Sequence, residues 1–202
     1  MSETPIIDRK ARRHSQTRAE ILDAAWALAR DAGLAALSLN ELARRVGMRP
    51  QSLYTYFGSK NAIYDAMFAR GYQQYLEMLQ AEDFPPDPRA ALRQGLWALF
   101  RFCLADLPRY QLLFQRTIPG FEPSPGSYAL ATRALEFTAA RLAERGISGP
   151  GDLDLLTALA TGLVDQQVSN DPGGDRWIGL IDWAADMYAD HVLPSTARGT
   201  GR

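Results

Sequence analysis

Apolar residues recur every three or four positions along most of this chain, and no stretch alternates strictly between apolar and polar residues. A spacing of three to four is the period of an amphipathic α-helix, whereas a half-buried β-strand has a period of two. Alanine, leucine and arginine, which are good helix formers, are abundant. The pattern therefore predicts an all-α fold.

Four helices are predicted in the N-terminal third of the chain. A capping box, in which Ser or Thr is followed three positions later by Glu, starts a helix at Thr17 and again at Ser38. Pro50 suits the first position of a third helix, because its missing N–H would have no partner there. The predicted helices cover about residues 17–33, 38–47, 50–57 and 60–80.

An acidic, proline-rich stretch at residues 81–88 interrupts the helical pattern and marks the expected seam between two domains. The N-terminal domain is predicted to span about residues 15–75 and the C-terminal domain residues 76–202. Five helices are expected in the second half, at about residues 87–105, 108–117, 125–145, 152–169 and 174–193. The tail, residues 195–202, is predicted to be disordered.

Composition narrows the class of protein. The single cysteine, Cys103, cannot form an intrachain disulfide, and the sequence shows neither a secretory signal nor a run of about 18 apolar residues. We therefore expect a protein of the reducing cytoplasm. There is no glycine-rich phosphate loop, nucleophile elbow or metal-binding spacing of His and Cys, so we expect no enzyme, no cofactor and no metal site.

Residues 38–57 carry the pattern most specific for a function: a short helix, a turn with Gly47, and a second short helix. This is the helix-turn-helix arrangement, in which the first helix holds the second in the major groove of DNA. Packing between the two helices can come from Leu39, Leu42, Val46, Leu53 and Phe57. The outer surface of the second helix then offers side chains that can read bases or bind phosphates: Arg49, Gln51, Ser52, Tyr54, Thr55 and Tyr56.

Charge is unevenly distributed, although the formal net charge is only -1. Residues 1–60 contain ten Lys and Arg against six Asp and Glu, whereas residues 61–202 contain 12 against 17. The N-terminal excess predicts a polyanionic partner, with a solvated basic tail as the alternative. The basic segment from Arg9 to Arg13 either tracks a minor groove or adds only non-specific attraction.

The N-terminal region resembles the tetracycline-repressor-like (TetR) family of bacterial regulators. The resemblance covers about residues 15–75 and depends on positions at fixed spacing: Ser38-Leu39, Glu41-Leu42-Ala43, Val46-Gly47, Leu53-Tyr54, Tyr56-Phe57 and Lys60. It implies a three-helix DNA-binding domain joined to a C-terminal helical domain for ligand binding and dimerisation. The sequence departs from the common pattern at Tyr56, where many members have histidine, and at Arg49-Pro50, where small polar residues are frequent.

The resemblance also implies roles for individual residues. Contacts to the sugar-phosphate backbone are expected from Ser38, Tyr54, Tyr56 and Lys60. Base edges would be read from the second helix of the motif by Arg49, Gln51, Ser52 and Thr55, with Pro50 beside them.

In the C-terminal domain the resemblance implies a small-molecule sensor and a homodimer interface on the last two helices. Candidate interface residues, for which the intramolecular core is the alternative use, are Leu156, Leu159, Leu163, Trp177, Ile181 and Tyr188. Candidate effector-binding residues are Trp97, Phe100, Arg101, Tyr110, Phe114, Tyr128, Phe137, Gln166 and Asn170. We expect fewer than half of these to contact a ligand, which would be hydrophobic or planar.

The function that follows is a sequence-specific DNA-binding transcriptional regulator, acting as a repressor that a small-molecule effector releases from a palindromic operator. One alternative is a regulator or activator with the same DNA head but no small-molecule trigger. The other is a helical enzyme or cofactor-binding protein whose resemblance to the family is incidental.

Overall fold

The computed structural model describes the backbone of residues 4–194 and the side chains of residues 9–194. Within that range the chain is helical, with short 3-10 helices at Leu34–Ala36 and Ile178–Leu180 and no β-strand. The α-helices are α1 (Thr4–Ala32), α2 (Leu39–Arg45), α3 (Pro50–Leu53), α4 (Lys60–Ala81), α5 (Pro88–Leu104), α6 (Leu107–Phe114), α7 (Pro125–Ala143), α8 (Asp152–Asn170) and α9 (Ile181–Val192). The all-α prediction is confirmed, and the predicted disorder of the tail falls outside the described residues.

The helices form two compact units. The first unit contains the described part of Met1–Gln73 together with Asp106–Leu130. The second unit contains Gln74–Ala105 together with the described part of Ala131–Arg202. Helix α6 and the segment that follows it therefore pack with the N-terminal helices, although they come after α5 in the sequence.

Apolar stripes on the first four helices meet in the core of the first unit. On α1 the stripe has the helical period, and its members are at most 4% exposed: Ile21, Ala25, Trp26, Leu28 and Ala29. Leu42 of α2, Leu53 of α3 and Ile63 of α4 are fully buried. Helices as short as α2 and α3 are not stable alone, so this shared burial holds them in place.

An ion pair and a helix cap fix α6 on α1. The buried carboxylate of Asp106 precedes α6 and accepts a hydrogen bond from the backbone N–H of Arg109 at 3.1 Å. It also accepts two hydrogen bonds from the Arg30 guanidinium on α1, at 2.9 and 2.6 Å. Helix α4 approaches α6 closely at Gly71, where a Cβ atom would lie 2.9 Å from Leu113 Cδ2.

In the second unit, α5 and α9 are joined by an antiparallel ladder of polar contacts. Its rungs pair Trp97 Nε1 with Asp182 at 2.9 Å, Arg93 with Asp186 at 2.6 Å, and Arg89 with Asp190. The residues are four apart on each helix, so successive turns face each other. The apolar core of the unit includes Leu92, Leu142, Ile147, Tyr188 and Ala189.

Helix α1 begins at Thr4, 13 residues before the predicted start at Thr17. Thr17 therefore lies inside the helix and does not cap it. The described side chains from Arg9 to Ser15 are all exposed. They form no apolar stripe, which is why the periodicity of the sequence missed these turns.

The second predicted capping box also does not form. Ser38 precedes α2, but its hydroxyl accepts no capping hydrogen bond. Glu41, the expected partner in the box, instead accepts hydrogen bonds from Arg44 at 2.9 and 2.7 Å. Helix α3 ends at Leu53, earlier than predicted, although turns continue to Phe57, whose N–H donates to the carbonyl of Leu53 at 3.0 Å.

Helix α9 begins at Ile181 rather than near residue 174, because the buried side chain of Gln167 organises the loop before it. The amide nitrogen of Gln167 donates to the carbonyl of Gly174 at 3.1 Å and also to that of Asp171. Its amide oxygen accepts from the backbone N–H of Trp177 at 3.0 Å and of Ile178 at 3.1 Å. These bonds satisfy backbone groups of the loop without a helix.

Candidate functional site

Helices α2 and α3 and the turn between them form the predicted helix-turn-helix. Gly47, with a φ of 65°, takes the left-handed conformation at the turn, and the N–H of Met48 donates to the carbonyl of Ala43 at 2.8 Å. Pro50 occupies the first turn of α3, where no intrahelical partner is lost. Leu53 and Phe57 are buried, so the opposite side of α3 faces solvent.

The exposed side of α3 brings together the residues predicted to read bases. Five side chains are exposed there: Arg49, Pro50, Gln51, Ser52 and Thr55. The Thr55 hydroxyl donates to the carbonyl of Ser52 at 2.6 Å, which fixes its rotamer. In the described part of the chain, Arg49 makes no ion pair, so its five donors remain available for a partner.

The two tyrosines at the end of α3 have different surroundings. Tyr54 is 52% exposed, whereas Tyr56 is half-buried. The ring of Tyr56 stacks on His14 of α1, with centroids 4.8 Å apart and an angle of 26° between the planes. Arg18 donates to the carbonyl of Tyr56, and its guanidinium carbon lies 4.1 Å from the centre of the Phe57 ring. Helix α1 thus holds the turns that follow α3.

These contacts of His14 and Arg18 were not predicted from the sequence. The available signal was their spacing of four residues, in phase with Ile21 and Ala25 on the apolar stripe of α1. The spacing places both side chains on the face of α1 that packs against the motif.

Lys60 and Ser38 flank α3 on its neighbouring elements. Lys60 is the first residue of α4; its ammonium lies 3.3 Å from the carbonyl oxygen of Ala35 and 5.5 Å from the centre of the Tyr64 ring. Ser59 caps this helix by accepting a hydrogen bond from the N–H of Ala62 at 3.0 Å. Ser38 is exposed immediately before α2.

The negative charge of Glu41, on α2 of the motif, is neutralised within the protein. The hydrogen bond from Arg44, helped by a second from Arg45 at 3.3 Å, lowers the pKa of Glu41 to about 2. Arg45 also bonds Asp31 at 2.7 Å. Arg44 and Arg45 therefore balance the carboxylates of Glu41 and Asp31.

A cavity of about 250 Å³ lies in the same compact unit as the motif. Its walls are mostly aromatic and apolar, from Phe68 and Tyr72 on α4, Leu113 and Phe114 on α6, and Phe121 and Tyr128 beyond them. The rings contact one another, with centroids 4.8 Å apart for Phe68 and Tyr72 and 5.8 Å apart for Tyr72 and Phe114. Polar groups of Gln115, Arg116 and Thr117 complete the lining.

The segment between α6 and α7, which forms one wall of the cavity, is tied to α4 by Asp65. Its carboxylate accepts hydrogen bonds from the Ser124 N–H at 2.7 Å, the Ser124 hydroxyl at 3.0 Å and the Ser127 hydroxyl at 2.9 Å. We refer to these three residues as the Asp65 clamp. Nothing in the sequence pairs Asp65 with residues about 60 positions away, so the clamp was not predicted.

The structure places two of the nine candidate effector-binding residues, Phe114 and Tyr128, on this cavity. Tyr110 is buried, with its ring 5.8 Å from that of Phe114, and Phe100 is buried. The others lie elsewhere: Trp97 bonds Asp182, Arg101 lies 3.7 Å from Glu82, Phe137 is 5.0 Å from Arg141, and Gln166 bonds Asn170 at 2.7 Å. The α4 aromatics Phe68 and Tyr72 were not among the candidates, although their spacing of four residues could have signalled them.

Two candidate interface residues are buried within the chain itself. Ile181 is 0% and Tyr188 2% exposed, so their side chains belong to the intramolecular core, the alternative that the sequence left open. The Tyr188 hydroxyl donates to the carbonyl of Asp152 at 2.9 Å, and burial raises its pKa to about 12. The remaining candidates, Leu156, Leu159, Leu163 and Trp177, are half-buried.

Other apolar side chains of α8 and α9 face solvent. Leu155 of α8 is 47% exposed, and Trp183 and Met187 of α9 are 70% and 55% exposed. Gly162 of α8 is also exposed, with open space where a Cβ atom would lie. We call these four residues the α8–α9 stripe.

Two kinds of feature are absent from residues 4–194. No helix of this part of the chain is long and apolar enough to cross a membrane. The same residues contain no group of three or more His, Cys, Asp and Glu side chains arranged to hold a metal ion.

Comparisons with known proteins place this geometry in context. Residues 21–67, from α1 into α4, match the family model described as bacterial regulatory proteins, tetR family. No curated protein matches the chain by sequence.

Solved structures share the fold over most of the chain. A protein of unknown function from Rhodococcus sp. RHA1 is 20% identical with a TM-score of 0.74, covering 88% of this chain and 95% of that one. A TetR family transcription regulator from Marinobacter aquaeolei VT8 is 22% identical with a TM-score of 0.64, covering 90% and 98%. A TetR variant from Acinetobacter baumannii AYE in complex with minocycline is 20% identical with a TM-score of 0.57, covering 85% and 93%.

Proposed function

We propose that this chain, a member of the tetR family of bacterial regulatory proteins and a DNA-binding regulator of transcription, is a homodimeric repressor that a small planar effector releases from a palindromic operator. One observation carries the proposal. Helix α4 begins at Lys60 beside the helix-turn-helix, and about two and three turns later its Phe68 and Tyr72 form a wall of the cavity. A ligand in the cavity would therefore act directly on an element that positions the DNA-binding residues.

We propose that α3 enters the major groove and that its residues divide into two groups. Arg49 and Gln51 are exposed and can form paired hydrogen bonds with guanine and adenine, respectively, with Ser52 and Thr55 beside them. Phosphates would be bound around this surface by Ser38, Tyr54, Tyr56 and Lys60. The contacts of His14 and Arg18 with Tyr56 and its backbone support this division, because they hold a phosphate-binding side chain in a fixed position.

We propose that the α8–α9 stripe is the surface through which two copies associate. Trp183 is 70% exposed, so the chain alone gains little of the stabilisation that burial of its ring would give. A helix of a second copy packed on this ring would supply that burial. A glycine in a helix is less stable than alanine by about 1 kcal/mol, but it lets a second helix approach closely, as Gly162 would. Dimerisation would place two copies of α3 on the two halves of a palindrome.

The two proposed functions are assigned to the two domains predicted from the sequence. Residues 15–75 would bind DNA, and residues 76–202 would provide regulation and dimerisation. Helix α6 and the segment up to Leu130 belong to the regulatory part by sequence but pack in the first compact unit. This packing gives the regulatory part a direct contact with α1 and α4.

The cavity favours a particular class of effector. Its aromatic walls suit a flat, largely apolar molecule, and Arg116 can pair with an acidic or carbonyl oxygen on its edge. A volume of about 250 Å³ is below the usual range of roughly 300–1,000 Å³ for drug-sized ligands, so binding would have to enlarge it. Enlargement would strain the Asp65 clamp and displace α4, which would move Lys60. The neighbour that binds minocycline, a planar polycyclic compound, is in keeping with this class.

Two measurements on the full chain test the proposal. Selection from random DNA should recover a palindromic operator, and a screen of planar hydrophobic compounds should find one that raises the melting temperature and releases that operator. If an operator is recovered but no compound releases it, the chain is a regulator without a small-molecule trigger. If no operator is recovered, the proposal that α3 reads DNA bases is wrong.

Matched variants locate the effector site. Tyr128 and Leu135 are both exposed on α7, but only Tyr128 lines the cavity. Tyr128→Ala should weaken effector binding severalfold and leave operator affinity unchanged, whereas Leu135→Ala should change neither. Equal effects of the two substitutions on effector binding would place the effector elsewhere.

A further inference from the structure

The N-terminal half of α1 is the most basic exposed surface among the described residues of the first unit. Arg9, Lys10, Arg12 and Arg13 are all exposed, and no acidic residue occurs between Arg9 and Glu20. In the described part of the chain, none of these four side chains forms an ion pair. We call residues 9–14 the basic turns of α1.

Helix stability does not explain this concentration of positive charge. Like charges three or four residues apart, such as Arg9 with Arg12 and Arg13, destabilise a helix by about 0.2–0.5 kcal/mol per pair. No apolar face compensates, because Ala11 is the only apolar residue of the basic turns. A polyanionic partner would offset these effects.

The position of the basic turns identifies the partner. His14 stacks on Tyr56, and Arg18 donates to the carbonyl of Tyr56, so α1 runs beside the end of the recognition helix. Lys10 lies one turn before His14 on the same side of α1, about 6 Å further along the axis. Arg13 neighbours Lys10 at a spacing of three. The two cations therefore extend the DNA-facing surface beyond Tyr56.

We propose that the basic turns of α1 are a second DNA-contacting element, in which Lys10 and Arg13 bind phosphates flanking the bases that α3 reads. The helical conformation argues against both uses that the sequence left open. An α-helix with side chains is about 10–12 Å wide, whereas the minor groove is about 6 Å wide, so these turns cannot thread into it as an extended arm would. A fixed helix also confines the cations to one place on the duplex, unlike a non-specific tail. The proposal depends on DNA binding through α3.

The test compares two substitutions that remove the same charge from opposite sides of the helix. Lys10 and Arg12 are two residues apart, which places them about 160° from each other around α1. The variants are Lys10→Gln and Arg12→Gln in the full chain. Both also relieve like-charge repulsion, so neither should lower helix content, which far-UV circular dichroism would verify.

Binding is measured by fluorescence anisotropy on the selected operator, with and without flanking base pairs, between about 0.1 and 1 M salt. Each phosphate that a cation neutralises contributes about 0.9 to the slope of log K against log salt. If Lys10 binds one phosphate, the ratio of wild-type to Lys10→Gln affinity should therefore be about eightfold larger at 0.1 M than at 1 M salt. This difference should occur only on the flanked duplex. Arg12→Gln should bind like the wild type on both duplexes.

Three results would overturn the proposal. Equal losses for Lys10→Gln and Arg12→Gln would mean that the basic turns act as diffuse charge. If Lys10→Gln binds the flanked operator as tightly as the wild type does, the proposed phosphate contact of α1 is wrong, but DNA binding through α3 is not contradicted. If the wild type itself selects no operator, DNA reading by α3 fails as well. A Lys10→Gln/Arg13→Gln double variant that binds more weakly than Lys10→Gln, again only with flanks, would support both contacts.

Discussion

Lys60 and Gln51 lie in surroundings that suit different kinds of DNA contact. The Lys60 ammonium, near the carbonyl of Ala35 at the start of α4, is a point charge suited to a phosphate. Lys60→Gln should weaken binding to every sequence and lower the slope of log K against log salt by about 0.9 for each phosphate that Lys60 neutralises. Titrations at several salt concentrations, on the operator and on unrelated DNA, measure both effects.

Gln51 is exposed on α3, where its amide can bond adenine through two hydrogen bonds. Gln51→Ala should relax the preference at one base pair by about 1–3 kcal/mol and leave the salt slope unchanged. Affinities for operators substituted one base pair at a time give the measurement. If Gln51→Ala and Lys60→Gln had the same effects, the division into reading and positioning residues would be contradicted.

Tyr188 makes the stability of the protein sensitive to alkaline pH. Its pKa is raised from 10.0 to about 12 because burial disfavours the phenolate, so the native state holds this proton more tightly than the unfolded chain. Its contribution is fully present below pH 10 and is lost as pH rises through about 12. Tyr188→Phe should make the fall in unfolding free energy above pH 10 shallower, as urea titrations at several pH values would show.

The control for this prediction is Tyr54→Phe, since Tyr54 is 52% exposed on α3. It should leave the alkaline slope of stability unchanged. Tyr188→Phe also removes the hydrogen bond to Asp152, which lowers stability by about 1 kcal/mol at neutral pH. An unaltered alkaline slope in Tyr188→Phe would contradict the assignment.

The exposure of single residues of the motif could be predicted because it depends on local spacing. The exposure of Arg49 and Gln51 follows from burying Leu53 and Phe57 on the other side of one short helix. The contact of His14 with Tyr56 could not be anticipated in this way, since it joins residues about 40 positions apart.

At the scale of elements, the helices were predictable where an apolar stripe or a strong stop marks them. Helices α4 and α5 lie within about one residue of their predicted bounds at both ends. Helix α4 lies between Gly58 and the proline-rich stretch at 81–88, and α5 begins directly after Asp87. The start of α1 was missed because its first turns are exposed and polar. The start of α9 was missed because Gln167, on another helix, binds the preceding loop.

Contact between α4 and α6 depends on Gly71. A methyl group there would lie 2.9 Å from Leu113 Cδ2, closer than packed side chains allow, so α6 or the Leu113 side chain would have to move. Gly71→Ala should lower stability by about 1–3 kcal/mol despite the better helix propensity of alanine. It should also change the effector concentration needed for operator release.

The second substitution Leu113→Ala tests the mechanism of that destabilisation. It removes the atoms that clash, so the double variant should be more stable than the sum of the two single effects predicts. Thermal and urea unfolding of the four proteins give the coupling. Strict additivity would show that Gly71 acts through something other than its contact with α6.

At the scale of the whole chain, the sequence predicted which parts are helical but not which helices pack together. Helix α6 packs on α1 through Arg30 and Asp106, whose side chains give no sign of pairing across 76 positions. The hydrophobic pattern predicts which face of a helix is buried, but it does not indicate which other helix packs on that face. For the same reason it could not separate the core residues Ile181 and Tyr188 from the exposed Trp183 and Met187 on the same helix.

Association of two copies through the α8–α9 stripe can be tested by placing charge on it. Trp183→Glu would bury an unpaired carboxylate in the proposed interface, yet in a separate chain this position is 70% exposed and tolerates charge. Light scattering should therefore show a folded monomer. Operator affinity should fall by about 100-fold or more, because the two DNA-binding domains are no longer joined in one dimer. Leu135→Glu, at a 46% exposed position of α7 outside the stripe, should remain a dimer. A dimeric Trp183→Glu would place the interface on another surface.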